Sequence, residues 1–152
     1  MNEKSYIFRK IVEDISSLSK SYRKLEAAPR HFGTDDLLHY VEVHIVEAIG
    51  NSGKISVSEL ARKLNVTKGA VSQKVSKLLN SRILNKIPDS NDQRAFSLIL
   101  TTKGKIIFEE HNKFHDDFLN RFIEKNGKAS CNELIGFEKT LSQMKKTIEE
   151  LT

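Results

Sequence analysis

Two histidines, His111 and His115, are the residues whose types and spacing most directly suggest chemistry. The apolar residues around them recur at helical spacing and predict a long helix, on which positions i and i+4 lie one turn apart on the same side. Two imidazoles placed in this way can bind one transition metal ion. The alternative is that two of the five histidines lie four apart by chance and serve as polar interface residues. The spacing by itself leaves both interpretations open.

The sequence around this pair disfavours an enzyme. Asn112, Lys113 and Phe114 lie between the two histidines, so the pair lacks the glutamate that serves as general base in the H-E-x-x-H motif. No G-x-S-x-G motif and no glycine-rich phosphate loop occur elsewhere in the sequence. We therefore expect a protein that is not an enzyme, against the alternative of a small metal-dependent hydrolase.

A DNA-binding element is predicted for residues 56–80, which have the pattern of two short helices joined by a tight turn. Ser56 and Glu59 have capping-box spacing at the start of the first helix, and Thr67 can cap the second. The second helix has apolar residues along one face, while its outward face is small, polar and basic, as a helix in a DNA major groove requires. The predicted DNA contacts on this helix are Thr67, Lys68, Gly69, Ser72, Gln73, Ser76 and Lys77.

The charge distribution also indicates a polyanionic partner. The chain of 152 residues carries a net charge of +5. Residues 54–105 contain eleven Lys and Arg against three acidic residues, a charge of +8, and the rest of the chain carries −3. Positive charge concentrated on one module is typical of proteins that neutralise DNA phosphates, and the alternative is a basic surface that serves only solubility.

Two strands are predicted after this element, over residues 83–87 and 96–100, joined by a polar loop. Phe96, Leu98 and Leu100 alternate with the residues between them in the pattern of a strand packed on one face. The loop carries Arg94, and such a loop can insert an arginine into the narrow minor groove. The hairpin is therefore predicted to be the wing of a winged helix-turn-helix.

Helices flank this module on both sides. The first is predicted over residues 6–26, and a second begins near Thr34 or Asp35. A long helix covers about 101–125, and the last helix carries a heptad repeat over residues 134–151. The apolar seams at the two chain ends indicate either a homodimer interface or an intramolecular helical bundle.

The expected fold is mainly α, a winged helix-turn-helix with a small β-hairpin wing and with N- and C-terminal helices that form a dimerisation region. A single domain is expected over residues 1–152, with a DNA-binding lobe at about 54–100 and dimerisation helices at about 5–28 and 102–151. The single cysteine, Cys131, fits a reducing compartment, and no window approaches the roughly 20 apolar residues of a membrane span. Because the N-terminus also lacks a signal-peptide pattern, a cytoplasmic protein without a membrane partner is expected.

This order of elements resembles the MarR family of winged helix-turn-helix transcriptional regulators over nearly the whole chain. The specific matches are LARKLNVTKGAVSQKVSKL at residues 60–78, the pair Asp92 and Arg94 in the loop, and LTTKG at residues 100–104. The resemblance implies a homodimer that binds pseudo-palindromic operators in double-stranded DNA, with Asp92 bracing the wing and Arg94 contacting the minor groove. The loop departs from the family pattern, which often has further arginines beside this pair.

Within that family the chain is similar to the zinc-responsive repressors. This resemblance implies a metal site made of Glu26, His44, His111 and His115. One carboxylate and three imidazoles form a closed tetrahedral shell that suits Zn²⁺ better than Mg²⁺ or Ca²⁺, and Mn²⁺, Fe²⁺ and Ni²⁺ also accept histidine. The second metal site of that branch is not expected, because Phe32 and Val43 stand near where its cysteine and one glutamate would fall.

The sequence therefore predicts a sequence-specific DNA-binding transcriptional regulator, a homodimeric repressor whose DNA affinity is controlled by a bound metal ion such as zinc. Ligands on three helices would fix the long helix against the first two and so select the DNA-competent state. One alternative is a regulator that responds to a small organic effector, such as a phenolic acid bound near Tyr22, Tyr40, Phe114 and Phe118, or to none. Another is an architectural DNA binder without a switch.

Overall fold

The computed structural model describes residues 2–88 and 96–151. In chain order the elements are α1 (Glu3–Ala27), β1 (Arg30–His31), β2 (Leu37–Leu38), α2 (Tyr40–Ser52), α3 (Val57–Lys63), α4 (Lys68–Asn80), β3 (Leu84–Pro88), β4 (Phe96–Leu100), α5 (Thr102–Asn126) and α6 (Cys131–Glu149). Helices dominate, and β1–β2 and β3–β4 are two-stranded antiparallel sheets. The prediction of a mainly α fold with a helix-turn-helix and a small hairpin wing is confirmed.

The chain divides into two compact units, Met1–Asn112 and Lys113–Thr152. The boundary falls within α5, so the first unit holds everything from α1 to the first part of α5. The second unit holds the remainder of α5 and α6. The helix-turn-helix and the described strands of the wing therefore belong to the first unit.

The core of the first unit is built on α2. Ile45 and Ile49 of this helix are fully buried, and α2 packs on α3, α4 and β4. Those elements contribute Leu60, Leu78 and Leu98, each at most 1% exposed. Because burying one such side chain stabilises a fold by about 1.5–3 kcal/mol, this cluster holds the helix-turn-helix and the hairpin against one helix.

The second helix begins later than predicted. Instead of starting near Thr34 or Asp35, α2 starts at Tyr40, and the residues before it form the β1–β2 hairpin, in which Arg30 pairs with Leu38. Leu38 is 2% exposed in this hairpin. The helical spacing in the sequence was therefore misleading here, because the leucine is buried from a strand.

Two local features fix the hairpin and the start of α2. Gly33 has φ +65°, and a Cβ added there would lie 2.9 Å from Cγ2 of Ile106, so both backbone conformation and space favour glycine. At the start of α2 the backbone N–H of His39 donates to Oε2 of Glu42 at 3.1 Å. This bond satisfies one of the amide groups that a helix start leaves without an intrahelical partner.

The helix-turn-helix forms as its capping residues predict. The Ser56 backbone N–H donates to Oε2 of Glu59 at 3.0 Å, and the Ser56 hydroxyl accepts from the backbone N–H of Glu59 at 3.2 Å. Thr67 caps α4 by accepting from the backbone N–H of Ala70 at 3.3 Å. Asn65, with φ 53°, makes the turn between the two helices. Each signal is local, which is why the sequence alone predicts this element well.

The described part of the wing is a regular antiparallel hairpin with one departure from the predicted pattern. β3 and β4 pair from Leu84 opposite Leu100 to Pro88 opposite Phe96. Phe96 is exposed and Ser97 is buried, so the predicted alternation is wrong at this end of the strand. The Nζ of Lys86 lies 4.2 Å from the centre of the Phe96 ring, and this cation–π contact stabilises the exposed ring.

The second unit consists of exposed helices. On α6 the Ser130 backbone N–H donates to Oε2 of Glu133 at 2.8 Å, and the bonds from Ser130 lower the pKa of Glu133. No described residue of α6 is buried, and Leu134, Phe137 and Ile148 of this helix are exposed. Among the helices that the structure describes, none is long and apolar enough to cross a membrane.

Candidate DNA-binding surface and metal centre

The predicted DNA contacts of the recognition helix lie on one face of α4. Of this set Ser72 is half-buried, and the exposed members are Thr67, Lys68, Gly69, Gln73, Ser76 and Lys77. The Ser72 hydroxyl donates to the Lys68 carbonyl at 2.8 Å, and the Ser76 hydroxyl donates to the Ser72 carbonyl at 2.9 Å. Both hydroxyl oxygens keep lone pairs that can accept bonds from outside the helix. Contact of these residues with DNA stays a prediction, for which this mixture of cations and acceptors is suitable.

Lys77 also makes an intramolecular ion pair. Its Nζ lies 2.7 Å from Oε1 of Glu42 on α2, and the Nζ of Lys74 lies 3.5 Å from the same oxygen. Glu42 is 1% exposed. Burial opposes its charge, but hydrogen bonds from Lys77 and from the His39 backbone, with the charges of both lysines, hold the pKa of Glu42 below its usual range. Lys77 therefore anchors the recognition helix to α2.

The predicted contacts at the wing tip, Asp92 and Arg94, lie outside the described residues. Their roles in bracing the loop and entering the minor groove stay predictions. Of the hairpin the structure describes the two strands, β3 ending at Pro88 and β4 beginning at Phe96.

The structure brings together two of the four predicted metal ligands. His44 of α2 and His111 of α5 form a group with Glu47 of α2, and one donor atom from each lies within 4.8 Å of the others. Nδ1 of His44 is 2.8 Å from Oε2 of Glu47. Two imidazoles and one carboxylate at such distances can bind a single transition metal ion.

Aromatic rings enclose the two histidines. The rings of His44 and His111 are 5.6 Å apart and nearly perpendicular, at 88°. Phe32 packs edge-on against His111 at 5.5 Å, and Tyr40 packs against His44 at 4.3 Å. His111 is 5% exposed, whereas the side chains of His44 and Glu47 are 23% and 32% exposed. The group is thus walled on one side and reachable from solvent on the other.

Glu26, the predicted carboxylate ligand, is not a member of this group among the described residues. Burial, then a hydrogen bond to Glu26 and the charges of Glu26 and Glu47, raise the pKa of Tyr22. Burial and the same two carboxylates raise the pKa of Tyr40. Both carboxylates therefore contribute negative potential beside the histidines, which favours a cation there. Direct coordination by Glu26 stays a prediction.

His115, the remaining predicted ligand, belongs to the second unit. It follows His111 by four residues on the continuous helix α5. Its ring contacts that of Phe114 at 5.6 Å. Coordination of a metal by His115 stays a prediction from this spacing.

Glu47 is the member of this group that was not predicted from the sequence. It follows His44 by three residues, and on a helix this spacing places two side chains on the same face. That signal was available in the sequence, but a His-x-x-Glu pair is common on helices and does not show which third residue would join it. Only the packing of α5 on this region brings His111 to the pair.

Comparison with known proteins finds a family match over the DNA-binding part of the chain. The model of the MarR family matches residues 38–96, which run from the end of β2 through the helix-turn-helix to the start of β4. Over these residues the chain is similar to the MarR family. Members of this family are DNA-binding transcription regulators and not enzymes, and the match includes the helix-turn-helix of this chain.

Individual relatives agree with this assignment. An uncharacterized HTH-type transcriptional regulator of Bacillus subtilis, YhjH, is 28% identical over 122 residues, which cover 80% of this chain and 68% of YhjH. The chain spans about two thirds of the length of the curated relatives that it matches.

Solved structures show the same fold over nearly the whole chain. Streptococcus pneumoniae FabT in complex with DNA has a TM-score of 0.77 at 23% identity, covering 95% of this chain and 99% of FabT. ZitR of Lactococcus lactis, a zinc-responsive MarR family member, has a TM-score of 0.73 at 18% identity, covering 93% of this chain and 99% of ZitR.

Proposed function

We propose that this protein is a cytoplasmic, homodimeric repressor of the MarR family whose affinity for a pseudo-palindromic operator is raised by a bound divalent transition metal ion, Zn²⁺ above all. The convergence of His44, Glu47 and His111, with donor atoms within 4.8 Å of one another, carries the proposal. The zinc response of the similar protein ZitR supports the same assignment.

The donor set fits zinc. Imidazole nitrogen and carboxylate oxygen are common Zn²⁺ ligands, whereas Mg²⁺ and Ca²⁺ prefer sets made of oxygen alone. His44 of α2 and His111 of α5 would hold the ion, together with a carboxylate beside them. When bound, the ion supplies positive charge and a fixed coordination geometry. Ligands on both helices would then fix the position of α5 relative to α2.

Helix α2 connects this group to the DNA-binding surface. Glu42 lies two residues before His44 on α2 and binds Lys77 of the recognition helix at 2.7 Å. A change in the position of α2 would therefore be transmitted to α4 through this ion pair, whose carboxylate is buried and whose lysine is half exposed. Such a connection supports regulation of DNA binding, because both sites bear on one structural element.

The exposed apolar surfaces support a homodimer. No residue of α1 is buried, and Ile7, Val12 and Leu18 on this helix are 48%, 52% and 65% exposed. Phe137 and Ile148 on α6 are 54% and 61% exposed. Helix faces with several exposed apolar side chains are typical of surfaces that a partner covers. Two recognition helices in one dimer would then bind the two half-sites of an operator, about 34 Å apart.

Metal analysis combined with DNA selection tests the proposal. The wild-type chain and His111→Ala are purified without chelator, and their metal content is measured by mass spectrometry. Duplexes are selected from a random-sequence pool in Zn²⁺ and, separately, in chelator. The proposal expects zinc in the wild type, its loss in His111→Ala and two-fold symmetric selected sequences. Equal metal content in the two proteins would refute the metal site, and enrichment of no sequence would refute operator binding.

A second candidate function is control by a small organic effector, and a cleft in the first unit favours it. The cleft has a volume of about 440 Å³, within the usual range for small-ligand pockets. Its lining is apolar except for two charged side chains: Ile49, Gly50, Gly53, Ile99, Leu100, Lys105, Phe108 and Glu109. This candidate expects 4-hydroxybenzoate to change the DNA affinity of the metal-free protein and Lys105→Ala to weaken that effect. No change of affinity in saturating 4-hydroxybenzoate would exclude this effector.

A further inference from the structure

The resemblance to zinc-responsive regulators implies Glu26 as the carboxylate of the metal site, but the geometry points to a different residue. We propose that Glu47 is the carboxylate ligand, and that His44, Glu47 and His111 are the central ligand set. This inference rests on the proposed metal-binding function. It goes beyond that function by assigning the coordinating carboxylate to α2, whereas the resemblance implies α1.

Distance is the first argument. Oε2 of Glu47 already lies 2.8 Å from Nδ1 of His44. Two ligands of one tetrahedral zinc ion, with bonds of about 2.0–2.1 Å, are separated by about 3.3 Å. A shift of a few tenths of an ångström therefore suffices for this pair. Because both residues lie one turn apart on α2, side-chain rotation achieves the shift without moving the backbone.

The position of His111 separates coordination from simple support of His44. A glutamate that only orients a histidine binds the ring nitrogen facing away from the metal. Such a carboxylate would lie on the far side of the His44 ring from the other ligands. Here one carboxylate oxygen of Glu47 lies within 4.8 Å of a ring nitrogen of His111 and within 4.8 Å of a ring nitrogen of His44. Glu47 is therefore on the side of the His44 ring where the ligands converge.

Glu26 has a different role in this geometry. Its carboxylate is hydrogen-bonded by Tyr22 and acts electrostatically on Tyr40, which itself packs against His44 at 4.3 Å. Glu26 thus holds the tyrosines that border the site and adds negative potential. Removing it should weaken metal binding through the lost charge, by less than the loss of a ligand.

Matched glutamine variants test the assignment in the full-length chain. Zn²⁺ affinity is measured by competition with a chromogenic chelator, and Co²⁺ absorption spectra report the coordinating atoms. Glu47→Gln is compared with Glu26→Gln and with Glu13→Gln, which removes a carboxylate from an exposed position on the helix that carries Glu26. Circular dichroism checks the fold of each variant.

We expect Glu47→Gln to lower Zn²⁺ affinity by more than about 100-fold, beyond the range of 10–100-fold for residues that only support a ligand, and to change the Co²⁺ spectrum. Glu26→Gln should lower affinity by less than about tenfold, and Glu13→Gln should leave it unchanged. Glu47→His, which restores a metal-binding group, should recover affinity to within about tenfold of the wild type.

Two results would overturn this inference while leaving the proposed function intact. One is a Glu47→Gln protein that keeps the wild-type Co²⁺ spectrum, which would show that Glu47 only orients His44. The other is greater loss of Zn²⁺ affinity in Glu26→Gln than in Glu47→Gln. Failure of the wild type to bind either Zn²⁺ or Co²⁺ would instead refute the proposed function, and this inference with it.

Discussion

The outward face of α4 and the group formed by His44, Glu47 and His111 differ in how they are built. The α4 face is exposed and comes from one short segment of chain, whereas the histidine group joins α2 to α5 and includes a histidine only 5% exposed. The α4 face offers single cations and acceptors to a large partner. The donor atoms of the histidine group lie within 4.8 Å of one another, a spacing that suits one metal ion. Helix α2 carries His44 and Glu47 of the histidine group and binds Lys77 of the α4 face through Glu42, so the two regions can communicate through it.

The largest effect should follow from removing the buried member of the histidine group. His111→Ala should lower Zn²⁺ affinity by more than about 100-fold, since losing a ligand exceeds the 10–100-fold effect of losing a supporting residue. Competition with a chromogenic chelator measures this. His31→Ala, at an exposed position on β1, is the matched control and should bind as the wild type does. Similar weakening in both variants would contradict a specific site.

The ion pair that joins α2 to α4 should have the next largest effect, which is on stability. Glu42→Ala removes the acceptor of a charged hydrogen bond at 2.7 Å and should lower the free energy of unfolding by about 1.5–3 kcal/mol. The lysines it releases can reach water, since Lys74 and Lys77 are 42% and 52% exposed. Urea denaturation of the metal-free protein measures the change. Glu109→Ala, at an exposed site, should change stability by less than about 0.5 kcal/mol, and equal effects would show that the ion pair contributes little.

Substitutions on the outward face of α4 should weaken DNA binding and leave metal affinity unchanged. Gln73→Ala should weaken binding to a selected duplex by about 1–3 kcal/mol and relax the preference at one base pair, if the amide contacts a base edge. Lys68→Ala should weaken binding to all sequences and reduce the salt slope by about 1, as expected for a phosphate contact. Electrophoretic mobility shifts at several salt concentrations measure both. Unaltered DNA affinity in both variants would place the contact surface elsewhere.

The smallest effect concerns the cap that starts α3. Ser56→Ala removes the hydroxyl that accepts from the Glu59 backbone N–H at 3.2 Å, and should lower the free energy of unfolding by about 1 kcal/mol. Thermal unfolding measures the change, and zinc affinity should stay at its wild-type value. A large loss of zinc affinity would show that the helix-turn-helix and the histidine group are coupled more tightly than their separate construction implies.

The helix-turn-helix could be predicted from the sequence because each of its determinants is local. Ser56, Glu59 and Thr67 act on amides within three residues, so their spacing alone predicts where α3 and α4 begin. The β1–β2 hairpin was missed because Leu38 has the same apolar character in a strand as in a helix. Its burial comes from tertiary packing, which single-sequence periodicity does not report.

The histidine group could be predicted only in part. The spacing of His111 and His115 predicted a metal ligand at His111, and the resemblance to a known family implied His44 as another. Glu47 was missed because its partner His111 is far away in the chain, and only the fold brings them within 4.8 Å. A metal site assembled from two helices is a long-range property, which local spacing can suggest without specifying its members.

In the proposed function, metal bound at the histidine group controls DNA binding. Fluorescence anisotropy of a duplex selected from random pools, measured with Zn²⁺ and with chelator for the wild type and for His111→Ala, tests it most directly. We expect wild-type binding to be about 5–150-fold tighter with Zn²⁺, the usual range of allosteric coupling, and His111→Ala to bind at the chelated level with or without metal. Equal wild-type affinity with Zn²⁺ and with chelator would contradict it.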